Sequence, residues 1–351
     1  MAYTTINKST DYFNTKLYTG TGSSNSISGV NFQPDWVWIK KRNAAVGHRI
    51  YDSVRGVQNT LFSDSDAAEG TGQSTTLTAF NSDGFTVISE SGVNASSDTY
   101  ASWNWKANGA GSSNTDGSIT STVSANTTSG FSIVSFTGNG TAGATVGHGL
   151  GVAPNFIIVK SRTEVRSWVV GNSKSGWTKF LTLESTDADS TASTIWNDTA
   201  PTSSVFSIGT SAALNGSGQN IIAYCFNEVK GFSKFGSYTG NGASDTNGAF
   251  IYLGFKPSML LVKRTNGAKD WKIFDNKRNG YNGSNEVLEP NNSDAEDTTE
   301  FVDFLSNGFK WRIPNTDPKY ADVNGDGDTF IYAAFASEPF TTSTGIPCTA
   351  R

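Results

Sequence analysis

Residues 34–42 read PDWVWIKKR, and the phrase returns as PNFIIVKSR at 154–162 and as PSMLLVKR at 257–264. Each copy is a proline, a spacer, four apolar residues, a lysine, and an arginine one or two positions later. An unbroken apolar run this short describes a strand buried on both faces rather than an amphipathic helix. Proline at a strand entrance loses no ladder bond. The phrase therefore predicts the central strand of a sheet, three times over.

The surroundings repeat with it. Tyr18-Thr-Gly-Thr-Gly22, Phe136-Thr-Gly-Asn-Gly140 and Tyr238-Thr-Gly-Asn-Gly242 precede the three copies. After each comes a leucine and an acidic loop: Leu61 with Asp64, Asp66 and Glu69; Leu183 with Glu184, Asp187 and Asp189; Leu288 with Glu289, Asp294 and Glu296. Each unit closes on an asparagine and, six positions on, an apolar strand residue: Asn94 and Tyr100, Asn215 and Ile221, Asn324 and Phe330. Prolines at 34, 154 and 257 set a domain-sized period, unlike the about 20–50 residues of a solenoid repeat. Turns such as Asn81-Ser-Asp-Gly84 and Ser306-Asn-Gly308 join hairpins whose glycine takes positive φ. The expected fold is all-β, as three tandem antiparallel β-sandwich repeats. Their bounds are 1–106, 130–230 and 231–340. Residues 107–129, rich in Gly, Ser, Thr and Asn, read as a linker or long loop, and 341–351 as a C-terminal tail.

Composition narrows the function. The chain has 351 residues, 16% charged, with 37 glycines and 12% aromatics. A net charge of −5 and a pI of about 5.1 disfavour a nucleic-acid surface, which needs clustered Lys and Arg. No run approaches the about 18 apolar residues of a membrane span, so no membrane insertion is expected. The opening Met1-Ala-Tyr-Thr-Thr-Ile resembles no export signal. Two distant cysteines, Cys225 and Cys348, make no disulfide framework.

Candidate sites are few. Trp177 and Trp196 have no counterparts in the other units and lie in polar stretches, so they are the expected exposed aromatics for stacking on a sugar. Partial burial is nonetheless the first reading, because large aromatics are mostly buried. Asp322, Asn324, Asp326 and Asp328 alternate as in the first half of a calcium-binding EF-hand loop. The twelfth position is Ala333 rather than glutamate, so a hairpin turn is the first reading and a Ca2+ site the second. No other cofactor is indicated. Asp52 and Arg55 recur as Asp275 and Arg278, where unit 2 has Asn172 and Ser175, and read as pairs tying a loop to a strand. Trp168 and Trp271 share one offset from the proline, where unit 1 has His48. The chain's two histidines, His48 and His148, have no zinc spacing, and no G-x-S-x-G elbow occurs. Acidic loops present in every unit read as solvated loops rather than one tuned acid, and no catalysis is expected.

Taken together, MAYTTINKSTDYFNTKLYTGTGS, QPDWVWIKKR, FIYAAFASEPF and the TSTGIP…TAR tail resemble repetitive virion proteins of marine tailed bacteriophages, cyanophages especially. The likeness spans essentially the whole chain and carries over no individual binding residue. It implies a structural protein of the virion, assembled in the host cytoplasm, with other virion proteins as partners and a homo-oligomeric state. A tail or fibre component that adheres to a host-surface glycan is the first expectation. A capsid decoration protein is the second, and a glycan-active enzyme the third. The three units are expected to form a rigid rod or plate.

Overall fold

A computed structural model describes residues 3–243, 247–278, 282, 286–299 and 302–348. Helical segments among the described residues are single turns, and everything else that is regular is antiparallel strand. In unit 1 the proline strand Trp36–Lys41 lies between Thr99–Trp105 and Arg49–Asp52, with Phe13–Thr19 outermost. The same order surrounds Phe156–Ser161: Phe131–Thr137, Asn220–Phe226, the proline strand, Val169–Asn172. It recurs around Phe255–Arg264, with Ser233–Thr239, Thr329–Pro339 and Lys272–Asp275. Register repeats too. Trp36 stands opposite Trp105 and Asp52, Phe156 opposite Phe226 and Asn172, and Met259 opposite Phe335 and Asp275. In unit 3 the strand starts earlier, at Phe255, and Pro257 sits at a register shift, where its missing N–H is tolerated.

Alternation along each proline strand explains its unbroken apolar run. Val37 and Ile39 pack with Phe85 and Val87 of a small second sheet, Asn25–Ser28, Gly84–Val87 and Leu77–Asn81. Trp36 and Trp38 face the other way, into a cluster that also holds Phe156, Ile158, Met259, Leu261, Tyr224, Phe226 and Phe335. Trp36 stacks on Tyr224 of unit 2 with ring centroids 4.5 Å apart, and Trp105 meets Phe335 of unit 3 at 5.5 Å. All three main sheets thus turn one face to a single shared core.

Of the expected rod or plate, that closure excludes the rod. Units 1 and 3 touch directly, because each unit lays its acidic loop over the lysine end of the next proline strand and unit 3 returns to unit 1. Three equivalent buried lysines record the cycle. Lys160 Nζ donates to Asp66 O of unit 1 at 3.1 Å, Lys263 Nζ to Thr186 O of unit 2 at 3.0 Å, and Lys40 Nζ to Ser293 O of unit 3 at 3.2 Å. Each also donates to the carbonyl of its own next residue. Burial lowers all three pKa values to about 8, against nearby carboxylates that pull them up. Backbone bonds follow the same cycle: Glu69 N to Arg162 O, Asp189 N to Thr265 O and Glu296 N to Arg42 O, each 2.8 Å.

The ring bonds at the proline-plus-fourteen position complete each joint. Trp168 Nε1 donates to Phe62 O (2.7 Å) and Trp271 Nε1 to Thr182 O (3.0 Å). In unit 1, His48 Nε2 lies 3.0 Å from Glu289 O while Trp38 Nε1 donates to His48 Nδ1. These partners show that Leu181, paired with Val170 as Leu61 is with Ile50 and Leu288 with Ile273, is the true counterpart in unit 2. The repeat alignment at Leu183 was two residues out.

Residues 107–129 are not a free linker. Ser112–Asn114 and Ser121–Asn126 are strands that extend the second main sheet beyond Phe131–Thr137. Ile119 and Val123 are buried there, so two apolar side chains suffice to dock a polar segment onto an open sheet edge. Of the tail, Thr341 bridges to Pro347, and residues 349–351 lie outside the described residues.

Candidate functional site

Trp177 and Trp196 are not exposed. Their relative accessibilities are 9% and 1%, and their rings meet edge to face with centroids 5.3 Å apart. The cause lies on the neighbouring strand. Unit 1 has Tyr51 and unit 3 has Phe274 where unit 2 has Gly171, and both aromatics are buried. A Cβ on Gly171 would lie 2.6 Å from the Trp196 ring and 2.7 Å from that of Trp177. The two tryptophans fill the room that a glycine leaves, and that substitution was the signal sequence reading missed.

The 322–328 motif is likewise dispersed. Asp322 faces Lys269 and Lys272, Asp328 pairs with Arg264 at 2.6 Å, and Asp326 points to solvent. Asn324 turns inward: its Nδ2 donates to Asn241 Oδ1 and Ala243 O, and its Oδ1 accepts from Asn241 N. Among the described residues no group of three His, Cys, Asp or Glu side chains converges as metal ligands would. Asn94 and Asn215 act as Asn324 does, each fully buried and holding the Thr-Gly-x-Gly loop of its own unit.

The acidic residues are joint material. Asp52 Oδ1 accepts from Val54 N and Arg55 N, while its Oδ2 accepts from Arg55 Nε and, at 2.7 Å, from the Tyr224 hydroxyl of unit 2. Asp275 repeats this with Arg278 and with Trp103 Nε1 of unit 1 at 3.0 Å. Burial raises the Asp275 carboxyl, but Arg278 outweighs it and the net shift is downward. Glu69 pairs with Arg162 and, at 3.5 Å, with Arg55, and Glu296 binds Arg42 and Arg278. Burial drives the His48 imidazole well below its usual pKa, and it is held as a neutral link in a joint. His148 is buried between Leu150 N and Thr202 O.

Exposed aromatics do exist, at the opposite end of unit 3. On the edge strand Phe250–Tyr252, Ile251 is buried while Phe250 and Tyr252 are 47% and 52% accessible. Edge position and period-two alternation place both rings on the solvent side. Tyr3 joins them, its hydroxyl donating to Gly254 O at 2.6 Å, and Phe340 lies 6.3 Å from the Tyr3 ring. Gly254 takes φ +81 beneath the two tyrosine hydroxyls, and a Cβ there would fall 2.8 Å from that of Tyr3. Lys234 Nζ caps Tyr252 O at 2.8 Å and lies 5.5 Å from the Tyr252 ring; Lys230 lies 4.6 Å from that of Tyr3. Burial and the adjacent Tyr252 hydroxyl push the Tyr3 phenol up to about 12. A groove of about 520 Å3 runs from Tyr3 past Thr5, Thr127, Thr128 and Glu228. Aromatic faces flanked by hydroxyls, a carboxylate and ammoniums suit a polyhydroxylated ligand: rings for C–H faces, oxygens and N–H groups for its hydroxyls. The alternation in FIY was legible; the approach of Tyr3 and Phe340 from the chain's two ends was not.

A model of the family described as a domain of unknown function (DUF7483) matches residues 8–339. No curated protein and no solved structure matches the chain.

Proposed function

The chain belongs to the DUF7483 family, and from that premise we propose that it is a virion structural protein of a tailed bacteriophage, a tail or fibre component that adheres to a host-surface glycan. Each unit, on this reading, is a small antiparallel β-sandwich of one main sheet, built on the same four strands and extended to eight in unit 2, and one lesser sheet. The resemblance of the opening, proline-strand and closing-strand residues to virion proteins supports the setting. The observation that carries adhesion is the edge formed by Phe250, Tyr252 and Tyr3, apolar faces left open beside a hydroxyl-lined groove. A weakly charged surface gives little long-range steering, so contact rests on shape, hydrogen bonds and stacking. Display in many copies then strengthens a weak site through effective concentration.

The test uses purified particles and the isolated chain. Double substitution Phe250→Ala and Tyr252→Ala is expected to leave the fold intact, since both rings are exposed, and to weaken particle adsorption at least tenfold, about 1.4 kcal/mol. Unchanged adsorption would remove the edge from the adhesive surface. Particle density for this chain at capsid lattice points would replace the fibre assignment with a decoration protein. Turnover of a bacterial polysaccharide by the isolated chain would make it an enzyme.

A further inference from the structure

Four positions that carry an arginine, a second arginine, an aspartate and a hydrogen-bonding aromatic in both other joints are all changed at the joint between units 2 and 3. Where the other joints place Arg162 or Arg42 on the entering strand, this one has Thr265. Arg55 and Arg278 become Ser175, Asp52 and Asp275 become Asn172, and the Tyr224 or Trp103 that bonds to them becomes Ala333. Asn172 still caps its turn, accepting from Lys174 N and Ser175 N at 3.0 and 2.8 Å. The backbone of the joint is therefore kept while its two guanidiniums are gone, and a groove of about 450 Å3 opens in their place. That volume lies within the about 300–1,000 Å3 of small-ligand clefts.

We propose that this groove is a second binding site, for a carboxylated saccharide. Its walls offer the hydroxyls of Ser175, Ser237, Thr239 and Thr265, while the stacked rings of Tyr238 and Phe330 turn away into the core of unit 3. Its charge excludes a replacement guanidinium. Asp189, counterpart of the twice-bonded Glu69 and Glu296, is already held by Lys179 Nζ at 3.1 and 3.2 Å. Lys174, exposed on the rim, makes no ion pair among the described residues and leaves the groove with one ammonium in excess. Hydroxyl-rich walls match a sugar's alternating donors and acceptors, and the spare ammonium matches a ring carboxylate. The site shares the glycan-binding theme of the reading above but not its residues, so either can fail alone.

The test titrates the full chain with trigalacturonate and, separately, with neutral galactotriose, by calorimetry. Trigalacturonate is expected to bind at least tenfold more tightly than the neutral sugar. Lys174→Ala, at an exposed position, removes that preference, and Thr265→Arg, which refills the groove as the other joints are filled, abolishes binding of both. Phe250→Ala with Tyr252→Ala leaves trigalacturonate binding unchanged. The proposal is overturned if neither sugar binds, if binding survives both Lys174→Ala and Thr265→Arg, or if only the aromatic-edge variant loses it. A chain absent from particles that still binds trigalacturonate in this pattern would sink the virion assignment and leave the groove standing.

Discussion

Asn215 is buried completely and makes four hydrogen bonds: Nδ2 to Thr141 O and Gly209 O, Oδ1 from Asn139 N and Gly140 N. Truncation strands buried carbonyls and amides that water cannot reach, so Asn215→Ala is expected to cost about 2–4 kcal/mol in urea unfolding. A loss under about 0.5 kcal/mol, the size of an ordinary surface change, would mean water replaces the side chain. The lysines supply a pH test. Burial holds Lys160 at about 8 when folded, below the about 10.4 of an unfolded lysine, so the unfolded chain binds more protons between those values. Stability from this site therefore rises as pH climbs from about 8 to about 10. Cys225, whose thiol burial pushes up, acts in the opposite sense, so the comparison is with Lys160→Met. The wild type should gain on the variant across that window, and a flat difference would contradict the burial of the ammonium. At this scale the sequence displayed the repeated asparagines and lysines but not their work. Their partners lie 74 and 94 residues away, beyond any local pattern.

The joints are where elements meet, and there the repeat was half legible. The Asp–Arg pairs were read as loop-to-strand ties, and Arg55 does reach Ile50 O and Asn59 O in its own unit. That Asp52 also receives Tyr224 from the next unit had no sequence signal, since it depends on how the sheets close. Asp52→Asn takes from the buried Arg55 guanidinium its hydrogen-bonded carboxylate, leaving only Glu69 Oε1 at 3.5 Å, and is expected to cost about 3–5 kcal/mol. Adding Arg55→Ser copies the Asn172 and Ser175 arrangement, whose turn keeps both backbone bonds. The double variant should be more stable than Asp52→Asn alone, by denaturant midpoint; equal or lower stability would show that the pair is not separable from the rest of its joint. The strands inside 107–129 escaped notice for a related reason. With Ile119 and Val123 the only large apolar side chains to bury, no period rises above the Gly/Ser/Thr background.

Over the whole molecule, each unit keeps a core of its own against its lesser sheet, but the other face of all three main sheets is buried only in the shared core. Calorimetry should show one transition, with calorimetric and van't Hoff enthalpies in agreement, although chains of this length commonly melt in stages. Two or three resolved transitions would mean that the units fold separately. Strand type and the threefold recurrence were readable because apolar runs and turn residues are local. The cycle was not, because its closing contact between Arg42 and Glu296 spans 254 residues. A ring of three matching joints would look the same after each third of a turn, and nothing docking along its axis could tell one setting from the next. The joint that has lost its arginines removes that ambiguity. It acts as a keyway on a wheel: any partner that feels it can seat the molecule in one rotational setting only, so a body built by repetition still has a heading.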